Sequence, residues 1–125
     1  MHDMPPFVPV DTENPKKSEG DQKEPVHLMP AQTIIQTSRV LAHGAEKYGE
    51  FNWRSTEIDL QTYIGATLRH LLAIMEGEDV DPDSGEDHWA HISANAAVVI
   101  DSKVHGFVRD NRKRKDTDYQ VDLPF

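Results

Sequence analysis

The sequence contains no cysteine, so disulfide bonds and thiolate metal sites are excluded, and nothing in it points to an oxidising compartment. It also lacks any apolar run near the ~20 residues of a membrane span, and its polar, acidic N-terminus is unlike a signal peptide. Positive charge is scarce: 13 Lys and Arg stand against 22 Asp and Glu, for a formal net charge of -9. We therefore expect a soluble cytoplasmic protein that binds neither a membrane nor a nucleic-acid polymer. The negative net charge still allows the protein to bind a free nucleotide through metal ions.

The two ends of the chain differ in composition from its middle. The first 26 residues hold five of the eight prolines and few apolar side chains, so burial there cannot offset the entropy of ordering. Residues 112–125 begin with a basic run and show no helical period. We predict an unstructured N-terminal tail at 1–26, a single domain at 27–111 and a C-terminal tail at 112–125.

Between the tails, apolar residues recur at helical spacing. This pattern predicts an all-α fold with three main helices, which span about residues 30–48, 57–76 and 85–110. Thr56 and Asp59 have the spacing of a capping box for the second helix, although Asp replaces the usual Glu or Gln. Asp83 or Ser84 is available to cap the third helix.

The third predicted helix is apolar on more than one side. Ala94, Ala97, Val98 and Val104 lie off its main apolar stripe. Roughly 80 structured residues also give one core only marginal stability. We therefore predict a helical bundle that is completed by oligomerisation, as a dimer or tetramer. Alternatively, a fourth short helix within the chain covers the same apolar surface.

An acidic segment joins the second and third helices. Residues 76–87 contain seven carboxylates, and the pair His88 and His91 follows at once. A bound divalent cation would relieve the repulsion among these carboxylates, and imidazole nitrogens are natural donors to it. Because the connection is short, the two helices should be antiparallel neighbours, which brings Glu76 and Asp79 close to the histidines.

Two other interpretations of the acidic segment are available. One is a solvated acidic turn, which would not require the histidine pair. The other is an EF-hand, because Asp79, Asp81 and Asp83 resemble the opening of its calcium loop. That match fails further on, since Ser84 stands where the turn needs glycine and Ala90 replaces the bidentate Glu.

The segment from Tyr48 to Arg54, between the first and second helices, supplies three aromatic residues and an amide. Trp53 could stack on a purine, and Asn52 could hydrogen-bond to its edge. Alternatively, Tyr48 and Trp53 anchor this loop on the helices. The two roles are compatible.

These features occur in a specific order over about residues 27–105. The order is Leu28-x-Pro30, then Leu41-Ala-His-Gly44-Ala-Glu46-Lys47-Tyr48-Gly49-x-x-Asn52-Trp53-Arg54, then Arg69-His70-Leu-Leu, then Glu76-Gly-Glu-Asp79-x-Asp81-x-x-Ser84-Gly85-x-x-His88-x-x-His91-x-x-x-Asn95-Ala. It resembles the phage family of dATP/dGTP diphosphohydrolases, the MazZ-like branch of the MazG-type all-α nucleoside triphosphate pyrophosphohydrolases.

The resemblance implies a MazG-like bundle that hydrolyses purine deoxynucleoside triphosphates to the monophosphate and pyrophosphate with Mg²⁺ or Mn²⁺. It places this reaction in phage nucleotide-pool metabolism, in the host cytoplasm if the protein is phage-encoded. It implies metal ligands at Glu76 and Asp79, with His88 and His91 where the wider superfamily has a second acidic motif. The imidazoles favour Mn²⁺ or another transition metal over Mg²⁺.

Other polar residues receive roles within this interpretation. Either Glu46 or Glu78 would orient the attacking water, and both are predicted catalytic residues. Lys47, Arg54 and Arg69 would offset the charge of the departing pyrophosphate. The predicted substrate-binding set is Lys47, Asn52, Trp53, Arg54, Arg69 and Asn95.

Two functions of other classes remain open at this point. The first is a catalytically inactive nucleotide-binding or regulatory module, which would bind a purine triphosphate with metal but release no pyrophosphate. The second is a helical assembly protein whose acidic loop only contacts a partner, and it would show no metal-dependent change in thermal stability.

Overall fold

The structure is a computed structural model that describes residues 14–115. The described residues divide into two compact units, with the boundary in the sequence between Pro30 and Ala31. Among the described residues, no helix combines the length and apolarity that a bilayer span requires.

The first unit contains helix α1 (Pro15–Asp21) and a single 3-10 turn (Val26–Leu28). The side chain of Asn14 accepts a hydrogen bond from the amide of Lys16 at 2.9 Å, and Pro15 takes the first helical position. This helix lies inside the predicted unstructured tail. The composition of the tail as a whole predicts disorder, but the local cap stabilises a short helix within it. The rest of that prediction, residues 1–13, lies outside the described residues.

The second unit is built from three longer helices, α2 (Ala31–Tyr48), α3 (Leu60–Met75) and α4 (His88–His105). Helix α4 is the middle helix, since it packs against both α2 and α3. Its buried residues include Ala90, Ala94 and Val98, which share one face at intervals of four. Two of these three are alanines, so the neighbouring helices can approach closely. The all-α fold with three main helices is confirmed.

A short pair of parallel strands was not predicted. Strand β1 (Ile58–Asp59) pairs with β2 (Val108–Arg109), and the register sets Ile58 against Val108. Helix α3 therefore begins later than predicted, and the expected capping box is wrong because Asp59 makes no capping hydrogen bond. Helix α4 ends earlier than predicted because Gly106 adopts the left-handed conformation, with φ 76°, that terminates helices.

The acidic segment between α3 and α4 is an ordered turn. Val80 and Asp87 form an antiparallel bridge, and the amide of Gly85 donates to the carbonyl of Asp81 at 2.8 Å. The side chain of Asp87 caps α4 by accepting from the amide of Trp89 at 2.7 Å. The predicted caps further upstream are therefore wrong, because the turn holds the chain out of the helix up to Asp87.

Candidate metal centre and adjoining cavity

Helices α3 and α4 run antiparallel, and this brings their polar residues into contact. Asn95 donates to Thr67 across the pair at 3.2 Å, and further along His70 meets His88. The Nδ1 atoms of these two histidines lie 2.8 Å apart. His88 is only 4% exposed, so its imidazole must find polar partners inside the protein.

The acidic turn closes over these histidines. Nε2 of His88 lies 2.7 Å from a carboxylate oxygen of Glu78. The ring of His91 stacks on that of His70, with centroids 4.5 Å apart and planes 14° apart. Nε2 of His91 lies 2.6 Å from Oγ of Ser84 and 3.6 Å from a carboxylate oxygen of Asp81.

One ligand atom from each of His70, Asp81 and His88 lies within 4.8 Å of the other two. Two imidazole nitrogens with one carboxylate oxygen suit a divalent first-row transition ion. Two nitrogens bound at about 2.0–2.1 Å to a tetrahedral ion stand about 3.3 Å apart, so the rings need to separate by only about half an ångström. The donor set therefore fits such an ion, and we call these three residues the histidine–aspartate centre.

The surroundings of His70 and His91 favour the neutral form of both rings. Burial lowers the pKa of His70, and the neighbouring His91 and His88 lower it further. Burial also lowers the pKa of His91, against the opposing effect of Asp81. A neutral imidazole has the free lone pair that metal binding requires.

The structure brings together only part of the predicted metal set. His88 and His91 lie in the cluster, together with Glu78 from the predicted catalytic pair. Glu76 and Asp79 are exposed and do not belong to the group that converges on the histidines. Helix α3 ends at Met75, so Glu76 and Asp79 lie in the turn that follows it, at positions where both side chains are exposed.

Sequence reasoning missed two members of the centre, His70 and Asp81. His70 was visible in the Arg69-His70 motif, and the antiparallel arrangement predicted for α3 and α4 would have placed it opposite His88. Asp81 has no such signal, because its inward position depends on the hydrogen bonds that close the turn.

A cavity of about 370 Å³ adjoins the cluster. Asp81, Ser84 and His91 line it, which places its wall at the histidine–aspartate centre. Four of the six predicted substrate-binding residues also line it, namely Lys47, Asn52, Trp53 and Asn95. This volume lies within the range of roughly 300–1,000 Å³ that is typical of small-molecule sites.

Three further predicted site residues, Glu46, Arg54 and Arg69, do not line this cavity, and all three are exposed. Arg54 instead forms a bidentate ion pair with Asp101 on α4, with nitrogen–oxygen distances of 2.8 and 3.0 Å.

Asp101 also fixes the aromatic side of the cavity. The indole N–H of Trp53 donates to the same carboxylate at 2.8 Å. The hydrogen bonds from Arg54 and Trp53 lower the pKa of Asp101 to about 2. The loop between α2 and β1 is therefore anchored to α4, and the orientation of the Trp53 ring depends on a carboxylate that is distant in the sequence.

Replacing Asp101 with asparagine should lower the melting temperature by a few degrees near neutral pH, because it removes the charge that holds Arg54 and Trp53. The folded-state pKa of Asp101 is depressed, so its contribution is present above the ordinary carboxyl pKa and is lost as pH falls towards about 2. The difference between variant and wild type should therefore shrink over that acid range, as measured by thermal denaturation.

Asp110→Asn is the matched control for this substitution. Asp110 also pairs with arginines, Arg112 and Arg114, but both lie within a few residues of it in the sequence. These local ion pairs can also form in the unfolded chain and hold no separate elements together. Loss of Asp110 should leave the melting temperature unchanged. Equal melting temperatures for Asp101→Asn and wild type at neutral pH would contradict an anchoring role for Asp101.

Comparison with known proteins agrees with the resemblance seen in the sequence. The family model described as dATP/dGTP diphosphohydrolase, N-terminal, matches residues 13–112. A protein of Salmonella phage PMBT28 named dATP/dGTP diphosphohydrolase is 33% identical over 78 residues, which are 62% of this chain and 26% of that protein. The match thus spans about a quarter of the relative's length.

No match was found among solved structures. Because the family model covers most of the sequence, the chain belongs to the family of dATP/dGTP diphosphohydrolase N-terminal domains.

Proposed function

We propose that this protein hydrolyses the purine deoxynucleoside triphosphates dATP and dGTP to the monophosphate and pyrophosphate, in phage nucleotide-pool metabolism and with a divalent metal ion. The observation that carries the proposal is that one cavity is lined both by Trp53 and Asn52 and by Asp81 of the histidine–aspartate centre. Base-binding groups and metal-binding groups thus face the same space. The name of the phage relative supports the same reaction.

The aromatic side of the cavity suits a purine base. The ring of Trp53, held by Asp101, offers a flat surface, and base stacking on an aromatic ring is worth about 1–3 kcal/mol. Asn52 and Asn95 contribute amides to the same cavity, and amides can pair with the donors and acceptors of a purine edge. Lys47 adds a positive charge that suits the phosphates.

A triphosphate brings about four negative charges to a protein that is itself strongly acidic, so cations must offset them. His70, Asp81 and His88 would hold the ion, which when bound polarises phosphoryl oxygens and activates water. Glu78 would orient the ring of His88 by contacting Nε2, the ring nitrogen that does not face the ion. Such carboxylate–histidine pairs recur around metal-bound histidines.

The proton of the attacking water needs an acceptor in the same cavity. His91 lines the cavity, and its lowered pKa keeps the ring neutral near pH 7. Neither Glu78 nor Glu46 lines the cavity. We therefore assign proton acceptance to His91 in place of either carboxylate.

A second candidate is a nucleotide-binding module without hydrolytic activity. It is favoured by the exposed positions of Glu46, Glu76 and Asp79, three carboxylates that were predicted to orient water or to bind metal. Such a module would use the same cavity to bind a purine triphosphate with metal and release it unchanged.

The test is to incubate the protein with each of the four deoxynucleoside triphosphates and Mg²⁺ or Mn²⁺, and to identify products by ion-exchange chromatography. Monophosphate and pyrophosphate from dATP and dGTP are the expected products. Nucleoside and triphosphate would indicate a different phosphohydrolase class. Metal-dependent binding of dATP without turnover would support the second candidate, and neither binding nor turnover would exclude both.

A further inference from the structure

Helix α2 contains a glycine, Gly44, one turn before its last residue. Glycine inside a helix is destabilising relative to alanine, because it loses more backbone freedom on folding and contributes no side-chain contact. A glycine is expected there only where the backbone conformation or a close approach of other atoms requires it.

The fold of α2 does not supply either reason. Four of the seven glycines in the sequence have positive φ angles, but Gly44 is not among them. A Cβ added at Gly44 would have no heavy atom of the described residues within 4 Å, apart from its chain neighbours and the backbone of its own helix. The folded chain therefore has room for alanine at this position.

Gly44 lies in the middle of the α2 face that lines the cavity of about 370 Å³. Its neighbours on the helix surface are the residues three and four positions away in each direction. All four of them line the cavity, and so does Gly44 itself: Val40, Leu41, Lys47 and Tyr48. A side chain at Gly44 would therefore extend into the cavity, and its absence lets a ligand reach the backbone of α2.

The elements that meet at the cavity indicate which part of a ligand would do so. Helix α2 ends at Tyr48, and the loop that carries Asn52 and Trp53 follows at once. The metal-binding side of the cavity comes from other elements, with Asp81 in the turn between α3 and α4. Gly44 is thus continuous with the aromatic side of the cavity, to which the proposed function assigns the base.

We propose that Gly44 sets a preference for purine bases, by leaving room for the second ring of the base against the backbone of α2. This inference rests on the proposed function, because it requires a nucleotide in this cavity. A methyl group at Gly44 would occupy the space that the second ring needs, so a purine would clash with it or shift off the ring of Trp53. A pyrimidine has one ring, reaches less far and loses little.

Thermal denaturation without nucleotide tests whether the fold needs this glycine. Gly44→Ala should raise the melting temperature by a few degrees, because alanine favours the helix and its methyl group meets no neighbour. A lower melting temperature would overturn the proposal, since it would show that the fold itself requires glycine at this position.

Equilibrium dialysis with dATP or dCTP, in the presence of Ca²⁺, tests the role in base choice without hydrolysis. Gly44→Ala should raise the dissociation constant for dATP by roughly tenfold or more, which is the expected size of the penalty for overfilling a packed site. The dissociation constant for dCTP should change by less than about threefold. A gain in stability together with a loss of purine binding is a combination that general damage to the fold does not produce.

Gly65→Ala is the matched control. It adds the same methyl group to the interior of α3, where Gly65 does not line the cavity, and the nearest atom to the new Cβ is the flexible end of Arg69 at 3.3 Å. Binding of dATP should be unchanged in this variant.

Equal dATP affinity in Gly44→Ala and wild type would overturn the proposal. Equal weakening of dATP and dCTP would also overturn it, because Gly44 would then face the sugar or the phosphates, which both nucleotides share. A wild type that binds neither nucleotide would contradict the proposed function, and this inference with it. Failure of the inference alone therefore differs from failure of the proposed function, since only the former leaves dATP binding in the wild type.

Discussion

Replacing His70 with alanine is expected to abolish Mn²⁺ binding and to lower turnover of dATP by more than a hundredfold. The reason is that His70 supplies one of the three donors of the histidine–aspartate centre and is the imidazole that α3 contributes to it. Groups that only orient a metal ligand cost about 10–100-fold when removed, and loss of a ligand should exceed that range. Glu78→Gln should fall within it, because Glu78 contacts His88 only through the ring nitrogen that faces away from His70.

Isothermal titration calorimetry with Mn²⁺ and the product assay measure the two effects, and circular dichroism checks that the helices remain. His27→Ala is the matched control, because it removes an exposed imidazole from the other compact unit. Glu76→Gln separates the two ligand sets: the structure predicts little effect, whereas the resemblance implies loss of metal. Full Mn²⁺ affinity in His70→Ala together with loss in Glu76→Gln would refute the histidine–aspartate centre.

Replacing Trp53 with alanine should raise KM for dATP by roughly 10- to 100-fold, with a smaller effect on kcat. The expected size follows from the worth of one stacked base, about 1–3 kcal/mol. Trp53→Phe keeps a flat ring but loses the N–H that donates to Asp101, so it should fall between alanine and wild type. Steady-state kinetics with dATP and dGTP measure these changes.

The protein contains two tryptophans, and the other one is a natural control. Trp89 is 58% exposed and does not line the cavity that Trp53 lines, so Trp89→Phe should leave KM unchanged. In that variant Trp53 is the only tryptophan, and dATP should quench its fluorescence. An unchanged KM in Trp53→Ala would show that this ring serves only to anchor the loop.

Several features of the fold and the site were predictable because they depend on neighbours in the sequence. Helix α2 begins and ends within one residue of its predicted bounds, since helical periodicity and the stop at Gly49 are local signals. The same holds for the antiparallel arrangement of α3 and α4, which their short connection enforces.

The strand pair and the anchoring of Trp53 were not predictable in this way. Ile58 pairs with Val108, and Trp53 donates to Asp101, across separations of about fifty residues in each case. Contacts between such distant residues leave no periodic pattern in either segment. They depend on how α2, α3 and α4 pack around the alanines of α4.

The sequence by itself determined the helical class, the family and the concentration of metal-binding side chains, because periodicity, motif order and composition are properties of the chain alone. Tertiary structure decided which of those side chains meet. The hydrogen bonds of the acidic turn carry Asp81 inward and leave Glu76 and Asp79 in solvent, and the antiparallel packing of α3 sets His70 against His88. Binding of one metal ion by three side chains would require them to converge within a few ångströms, and only the packed helices and the closed turn bring His70, Asp81 and His88 that close.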